Sequence, residues 1–254
     1  MIKHNIRTMK TFNYLMAGGL FFICLAFQSC LDDDDSCVDK SYPNALVTVK
    51  QDNDKTLFLQ LDDKTKLFPV NMKSSPFGNK EVRALVNFDD AKGSKDQYNK
   101  NVYVNWIDSI RTKTMVPDLG SQDDAVYGND PVEIVNDWVT IVEDGYLTLR
   151  FRTVWGGDRT KIHYVNLLAG QNPNDPYEIE FRQNASGDVY GPMVDAIVAF
   201  KLDKLPDTKG STVKLKLKWK SFTGNKTAEF DYCSGTSLPT KSTPSYVKNV
   251  MNVK

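Results

Sequence analysis

The segment YLTLRFR, residues 146–152, decides the fold class of this 254-residue chain. Leu147, Leu149 and Phe151 alternate with polar or amphipathic residues, so the apolar side chains fall on one face of an extended strand. Such a strand buries one face against a core and needs neighbouring strands to satisfy its backbone groups. The segment therefore predicts a β-sheet with one buried face.

The sequence after this segment repeats the same pattern at turn-separated intervals. Four more strands are predicted, at Ile162–Leu168, Tyr177–Arg182, Val194–Leu202 and Val213–Phe222. A series of this kind is typical of an immunoglobulin-like antiparallel β-sandwich. One short helix is predicted at Asp130–Trp138, because Pro131 is tolerated in a first helical turn.

The sequence before it also contains short strands. Five are predicted, at Ala45–Lys50, Thr56–Asp62, Lys66–Val70, Val82–Phe88 and Val102–Ile110. Polar turn residues between the first three indicate two tight hairpins. Five short strands in so few residues favour a small closed OB-like barrel, which removes the exposed edges that an open sheet would leave. The chain is therefore predicted to be all-β.

The domain boundary is expected near residue 118. Leu119–Asp130 is rich in Gly, Asp, Ser and Gln, a composition typical of linkers. We therefore assign the OB-like β-barrel to residues 43–118 and the β-sandwich to residues 119–254. Mild proteolysis is expected to cut this segment.

The first 29 residues have the composition of a secretory signal. Three basic residues precede the apolar stretch Tyr14–Phe27, which is short for a transmembrane helix. Ser29-Cys30 at its end resembles a bacterial lipobox, although Gln28 departs from the strict form. In this interpretation residues 1–29 are a lipoprotein signal peptide and Cys30 carries the lipid. An ordinary cleaved signal with an incidental cysteine is the alternative.

An acidic run follows the lipidation site. It consists of Asp32, Asp33, Asp34 and Asp35, within a predicted tether at residues 30–42. Four adjacent carboxylates repel one another and stay hydrated, so a solvated spacer is one interpretation. The other is that the run resembles the export signal of Bacteroidetes lipoproteins, which implies an outer-membrane protein facing the cell exterior. The periplasmic face is the alternative location.

Two cysteines other than Cys30 belong to the predicted mature chain. Cys37 and Cys233 would lie in an oxidising compartment, where they could form a disulfide or stay separate thiols.

Composition excludes several function classes. Lys and Arg number 32 and Asp and Glu number 32, whereas a nucleic-acid binder usually carries a basic excess. Neither a dinucleotide-binding fingerprint nor a Walker loop is present, so we expect no nucleotide cofactor. His163 is the one histidine after the signal, which excludes a metal site built on several imidazoles. Its strand-like context and the absence of a Gly-x-Ser-x-Gly motif favour a buried hydrogen-bonded histidine over a catalytic one.

Oxygen-bearing side chains leave two other chemistries open. A glycoside hydrolase needs two carboxylates at a set distance, and the candidates are Asp62, Asp63, Asp89, Asp90, Asp123, Asp124, Glu178 and Glu180. Acidic pairs in turns also serve turn chemistry and solubility. Calcium ligands could come from residues 52–54 or 172–175, although neither segment has EF-hand spacing. No metal site is assigned.

Candidate ligand contacts are cationic or aromatic. Lys214, Lys216 and Lys218 alternate with apolar residues and could face an acidic glycan or lipopolysaccharide. A solvated sheet face, or an edge strand protected by lysines, is the alternative. Among the four tryptophans, Trp155 is the best candidate for an exposed stacking surface, because Gly156-Gly157 follow it in a predicted turn.

The combination of these features resembles a known family. Residues 101–110 (NVYVNWIDSI), followed by Lys113 and Val116-Pro117 and then by Trp138-Val139, are similar to the NigD-like lipoproteins of Bacteroides and relatives. The resemblance implies an OB-like domain followed by a β-sandwich. The family name refers to a gene beside a bacteriocin locus, which suggests an immunity role by name only. It assigns no catalytic residues.

Two function classes follow from the sequence. The favoured hypothesis is a non-enzymatic, surface-exposed envelope lipoprotein that binds a glycan or an envelope protein, because no catalytic constellation stands out. The alternative is a glycan-acting hydrolase that uses two carboxylates.

Overall fold

The structure is a computed structural model that describes residues 40–62 and 64–235, and the backbone of residues 250–251. The predicted signal peptide, Cys30, the acidic run and Cys37 lie outside the described residues, as does Asp63. The described residues belong to one compact unit. Among them, no helix has the length and apolar character needed to cross a membrane.

The N-terminal domain is the predicted five-stranded barrel. Its strands are β1 (Ala45–Gln51), β2 (Leu57–Gln60), β3 (Lys66–Pro69), β4 (Val82–Asp90) and β5 (Asn99–Ser109). They close in the order β1-β2-β3-β5-β4. Alternate residues fill the interior, among them Val47, Leu59, Leu67 and Val86, none of which is exposed to solvent. The prediction of a closed barrel is confirmed.

Two aspartates form the predicted hairpin turns of the barrel. Asp52 Oδ1 accepts hydrogen bonds from the backbone N–H groups of Asp54 and Thr56, between β1 and β2. Asp62 Oδ1 accepts from Lys64 and Thr65, between β2 and β3. Both pairs of strands are antiparallel, so the two hairpins are confirmed. These turns explain the acidic clusters without any ligand.

The C-terminal domain is a β-sandwich. Its strands are β6 (Arg111–Thr114), β7 (Val116–Pro117), β8 (Glu133–Ile134), β9 (Ile141–Glu143), β10 (Tyr146–Val154), β11 (Tyr164–Ala169), β12 (Glu178–Asn184), β13 (Met193–Lys201), β14 (Val213–Ser221), β15 (Gly224–Tyr232) and β16 (Val250–Met251). A six-stranded sheet has the order β16-β13-β10-β8, with β6 beside β13 and β9 beside β10. A five-stranded sheet has the order β15-β14-β12-β11-β7.

The sandwich is more mixed than the antiparallel prediction. β12 runs parallel to β14, β6 runs parallel to β13, and β7 runs parallel to β11. The core between the sheets contains Leu147, Leu149 and Phe151, which are all fully buried, as their alternation in the sequence predicted. Phe181 packs against Phe151 with ring centroids 5.2 Å apart.

The first strands of the sandwich lie before the domain boundary predicted at residue 118. Strands β6 and β7 pair with sandwich strands, so the sandwich begins at Arg111, directly after β5. The supposed linker contains a 3₁₀ turn at Gly120–Gln122 and helix α1 (Asp123–Tyr127). Arg182 on β12 pairs with Asp124 at 2.5 Å, which fixes α1 on the five-stranded sheet. Lys40, within the predicted tether, pairs with Asp89 on the barrel at 2.6 Å.

The predicted helix at Asp130–Trp138 is not formed. Glu133–Ile134 pairs instead with Arg152 and Phe151 of β10, and the Val135 N–H donates to the Arg150 carbonyl. Backbone pairing with an existing strand overrides the local helix signal from proline.

The barrel packs on the outer face of the six-stranded sheet. Leu46, Leu85 and Ile110 from the barrel form one apolar cluster with Val139, Ile197 and Ala199 from the sandwich. The six-stranded sheet is therefore covered on both faces. This explains why β13 is an almost continuous apolar run rather than an alternating one.

A buried arginine joins the two domains. Arg83 of β4 is 0% exposed, and its guanidinium donates hydrogen bonds to Thr48 Oγ1 (2.9 Å), Thr148 Oγ1 (3.4 Å) and Glu143 Oε2 (2.9 Å). Thr48 lies in the barrel, whereas Thr148 and Glu143 lie in the sandwich.

Two other polar contacts cross the same junction. Lys50 Nζ lies 2.8 Å from Asp144 Oδ1, and Tyr146 Oη donates a 2.5 Å hydrogen bond to Glu81 Oε1. Burial, together with this bond, raises the pKa of the Tyr146 phenol well above its ordinary value. The barrel and the sandwich are thus held by directional contacts as well as by apolar packing.

Candidate functional site

Two loops join the two sheets at one end of the sandwich. One comprises residues 155–163, between β10 and β11, and the other comprises residues 185–192, between β12 and β13. We refer to this pair as the end platform. The loops touch at both ends, where the Trp155 N–H donates to the Pro192 carbonyl and Lys161 Nζ donates to the Gly187 carbonyl.

A buried polar cluster supports the end platform. His163 is 3% exposed; its Nδ1 lies 2.7 Å from Gln183 Nε2 and its Nε2 lies 3.2 Å from Asp188 Oδ2. Because an amide nitrogen donates, Nδ1 accepts, and Nε2 carries the hydrogen that it donates to Asp188. Asp188 Oδ1 accepts in turn from the Gly156 N–H at 3.0 Å. This series of hydrogen bonds, from Gln183 through His163 and Asp188 to Gly156, connects both loops to β12.

The sequence correctly indicated a hydrogen-bonded histidine, but His163 precedes β11 rather than lying in it, and it has two partners. The geometry assigns it a supporting role.

Two glycines allow the loops to approach so closely. A Cβ at Gly156 would collide with the Asp188 carboxylate. Gly191 has a φ of +149°, and a Cβ there would collide with the Trp155 carbonyl. Side chains are excluded from both positions, so the loops pack through their backbones.

The end platform exposes an apolar segment. Val189, Tyr190 and Met193 are 43%, 86% and 46% exposed, although the backbone around them is fixed by the contacts above. Trp155, the residue predicted to be exposed, is half-buried and packs against the sandwich core. The exposure of Tyr190 was not predicted from the sequence. The signal for it was an apolar pair, Val189-Tyr190, placed directly before Gly-Pro, where no strand could bury both residues.

The other tryptophans have different environments. Trp219 is buried, whereas Trp106 and Trp138 are half-buried beside the cluster between the domains. Trp106 Nε1 donates to the Lys40 carbonyl at 2.5 Å.

The lysine row lies on the outer face of the five-stranded sheet. Lys214 pairs with Asp231 at 2.6 Å, while Lys216 and Lys218 pair with Glu178 at 2.9 and 3.2 Å. The edge-strand interpretation is wrong, because β14 lies between β12 and β15. A contact between these lysines and a ligand would compete with the existing ion pairs.

Glu178 and Glu180 are the candidate carboxylates that most resemble a catalytic pair. Both lie on the outer face of β12. Hydrogen bonds from Lys216 and Lys218 hold the pKa of Glu178 below its ordinary value, whereas burial raises the pKa of Glu180. Opposed shifts of this kind are typical of acid–base pairs. Each carboxylate is, however, in an ion pair, Glu178 with two lysines and Glu180 with Arg182 at 3.0 Å.

Most of the other candidate carboxylates have structural partners. Asp62 forms a turn, Asp89 pairs with Lys40, Asp123 accepts from the Leu119 N–H, and Asp124 pairs with Arg182. Asn172 Oδ1 likewise forms a turn by accepting from the Asn174 N–H.

Within the described part of the chain, no group of three or more His, Cys, Asp or Glu side chains is arranged to hold a metal ion. Cys233 is buried beside Thr208, whose hydroxyl donates to its sulfur at 3.7 Å. Its predicted disulfide with Cys37 stays a prediction, because Cys37 lies outside the described residues.

Solved structures of similar proteins share this architecture. A protein from Parabacteroides distasonis named as toxin-related is 37% identical, with a TM-score of 0.63 over 75% of this chain and 92% of that one. A protein of unknown function from Bacteroides vulgatus is 21% identical, with a TM-score of 0.62 over 79% and 95%. A NigD-like immunity protein from Bacteroides caccae is 20% identical, with a TM-score of 0.55 over 75% and 96%. No functionally curated protein matches the sequence.

The family comparison divides the chain where the structure does. Residues 46–110 match the NigD-like N-terminal OB domain, and residues 114–232 match the NigD-like C-terminal beta sandwich domain. The gap between the matches coincides with the start of β6. The resemblance predicted from the sequence is confirmed, and the chain belongs to the NigD-like family.

Proposed function

We propose that this chain is a non-enzymatic lipoprotein of the bacterial cell envelope that binds a partner through exposed loops of its β-sandwich. The observation that carries the proposal is the end platform, which holds Tyr190 in solvent on a backbone fixed by buried hydrogen bonds. A side chain presented in this way loses little conformational freedom on binding. The candidate partners are a glycan or another envelope protein.

The carboxylates give less support to a hydrolase. Glu178 and Glu180 are held by cations on a sheet face, so a substrate would have to displace Lys216, Lys218 or Arg182 before reaching them. A bacteriocin-immunity role would be one form of partner binding, and it rests on the family name alone.

A binding and turnover assay separates the two functions. The purified full-length protein in detergent is applied to a glycan array and to solubilised envelope proteins, and the soluble products are analysed by mass spectrometry. Binding without product, weakened by Tyr190→Ala and unchanged by Glu178→Gln, is the expected result. Product formation that disappears in Glu178→Gln or Glu180→Gln would overturn the proposal.

The location proposed with this function rests on the N-terminal sequence. We expect Cys30 to carry the lipid and Asp32–Asp35 to direct the protein to the outer face of the outer membrane. Cys30→Ala should abolish palmitate labelling, and persistent labelling of that variant would contradict the anchor. Replacing the four aspartates by alanine should keep the lipid but protect the protein from protease added to intact cells. Unchanged protease access would show that the run is a spacer.

A further inference from the structure

The apolar side chains of the end platform are unusual for a surface loop. Three of the five residues in Val189–Met193 are large, apolar and at least 43% exposed, and the other two are Gly191 and Pro192. The chain does not turn them inward, because Asp188 is held by His163 and Gly156 on one side and Pro192 is held by Trp155 on the other. The segment is therefore kept exposed by the fold.

The residue types of the segment favour a protein over a carbohydrate. Tyrosine, methionine, tryptophan and arginine are the types enriched where proteins meet, and tyrosine is among the commonest residues that dominate binding energy. Sugars stack on aromatic rings but gain little from aliphatic side chains such as Val189 and Met193, which need an apolar partner surface.

The charges beside the segment indicate what the partner carries. The loop of residues 155–163 carries two cationic side chains, Arg159 and Lys161, and one anionic side chain, Asp158. Lys161 donates to the Gly187 carbonyl, and hydrogen bonds from Thr160 hold the pKa of Asp158 below its ordinary value. Arg159 is exposed and, among the residues that the structure describes, has no hydrogen-bond or ion-pair partner. Its loop contacts the loop of residues 185–192 on both sides of Arg159, through Trp155 and Lys161, and an open guanidinium there suits a carboxylate on the partner.

We propose that Val189–Met193 is the docking site for a partner protein that takes Tyr190 into an apolar pocket and offers a carboxylate to Arg159. The proposal rests on the binding function proposed above and specifies the class of partner. The fixed backbone means that docking requires side-chain adjustment rather than loop folding.

The test uses a photoreactive phenylalanine derivative at position 189 of the full-length protein in cells of its native host. Irradiation is expected to join the chain to a different polypeptide, whose tryptic peptides are then detected in the purified adduct by mass spectrometry. Tyr190→Ala should lower the yield about tenfold, as expected for a residue that dominates an interface. Arg159→Glu should lower it several-fold, whereas Arg159→Lys should keep most of it. Tyr103→Ala is the matched control, because Tyr103 is 51% exposed on the barrel, and it should leave the yield unchanged.

Other results would overturn the proposal. These are an adduct of twice the chain's own mass that yields only this chain's peptides, which indicates a second copy; an adduct with bound sugar and no foreign peptides, which indicates a glycan; a yield insensitive to Tyr190→Ala; and no adduct at all. A second photoreactive probe, at position 103, together with the identity of any adduct at position 189, distinguishes failure of the proposed docking site from failure of the proposed binding function. An adduct from position 103 without one from position 189 would refute both the docking site and binding through the sandwich loops, whereas a glycan adduct at position 189 would refute the protein partner and leave the proposed binding function intact.

Discussion

The contact between the two domains can be tested by replacing Arg83 with methionine. Methionine has a similar length and apolar stem, so the change removes the charge and the donors while leaving little space unfilled. The guanidinium is fully buried and donates to Thr48, Thr148 and Glu143. Its removal therefore leaves the Glu143 carboxylate, whose side chain is 5% exposed, without the opposite charge 2.9 Å away.

The buried carboxylate of Glu143 sets the size of the expected loss in the free energy of unfolding. Removing one partner of a buried ion pair costs about 3–5 kcal/mol, because the remaining charge stays out of water and loses the opposite charge that stabilised it. The two threonine hydroxyls each lose a hydrogen bond that their oxygen accepts, and because a hydroxyl is neutral this adds less than the loss at the carboxylate. We expect the free energy of unfolding to fall by about 4 kcal/mol, which for a unit of this size lowers Tm by about 8–16 °C.

Urea unfolding followed by circular dichroism and tryptophan fluorescence measures this loss. The variant Arg83→Met/Glu143→Gln should recover at least half of it, because the side chain that lost its cation is then neutral. Lys40→Met is the control, since it breaks an exposed ion pair with Asp89 and should have little effect. A loss below about 1 kcal/mol for Arg83→Met, or no recovery in the double variant, would refute a buried ion pair at the junction.

Three other perturbations test the supports of the sandwich. His163→Gln should lower the free energy of unfolding by about 2 kcal/mol in urea titrations, because the ring donates to the Asp188 carboxylate, and a change below about 0.5 kcal/mol would contradict that bond. Gly191→Ala should lower Tm and also weaken partner binding, because the new Cβ meets the Trp155 carbonyl; an unchanged Tm would show that the loops are not closely packed. Burial raises the pKa of Asp195, but hydrogen bonds from Arg152 and Arg150 outweigh burial and hold this pKa below its ordinary value of 3.8. The stability that the ionised Asp195 gives to the fold is therefore complete above pH 3.8 and is lost as the pH falls through the lowered pKa. Asp195→Asn should therefore lower Tm at pH 7 and flatten its decline in acid, and an equally steep decline in both proteins would contradict this.

The strands that could be predicted are those whose apolar residues follow a regular pattern because one face packs into the core of their own domain. β1–β5 and β10–β14 alternate or form short apolar runs, and the turn residues between them are explicit, so sequence alone indicates a barrel followed by a sandwich. β15 was missed because Gly224–Tyr232 is mostly exposed and lacks continuous apolar alternation. Its place depends on nine residue pairs with β14, which is tertiary information.

The domain junction was not predictable for a related reason. In the sequence Arg83 is a polar residue in an alternating strand, which indicates a solvated outer face of the barrel. Its burial depends on Glu143 and Thr148, more than fifty residues away, and only the packing of the two domains brings them together. Strands β6 and β7 were not predicted for the same reason, since they are polar or very short and are strands only because β13 and β11 extend beside them.

The position of the end platform follows from what the barrel covers. The barrel occupies the outer face of the six-stranded sheet, and the outer face of the five-stranded sheet is occupied by ion pairs between Glu178, Glu180 and neighbouring cations. A partner that bound either face would have to displace a domain or break several ion pairs. At the end platform it meets apolar side chains that are already in water and a backbone that is already fixed, so the main cost of binding is the loss of overall motion. The affinity of this site should therefore depend on Tyr190 and its immediate neighbours rather than on the barrel.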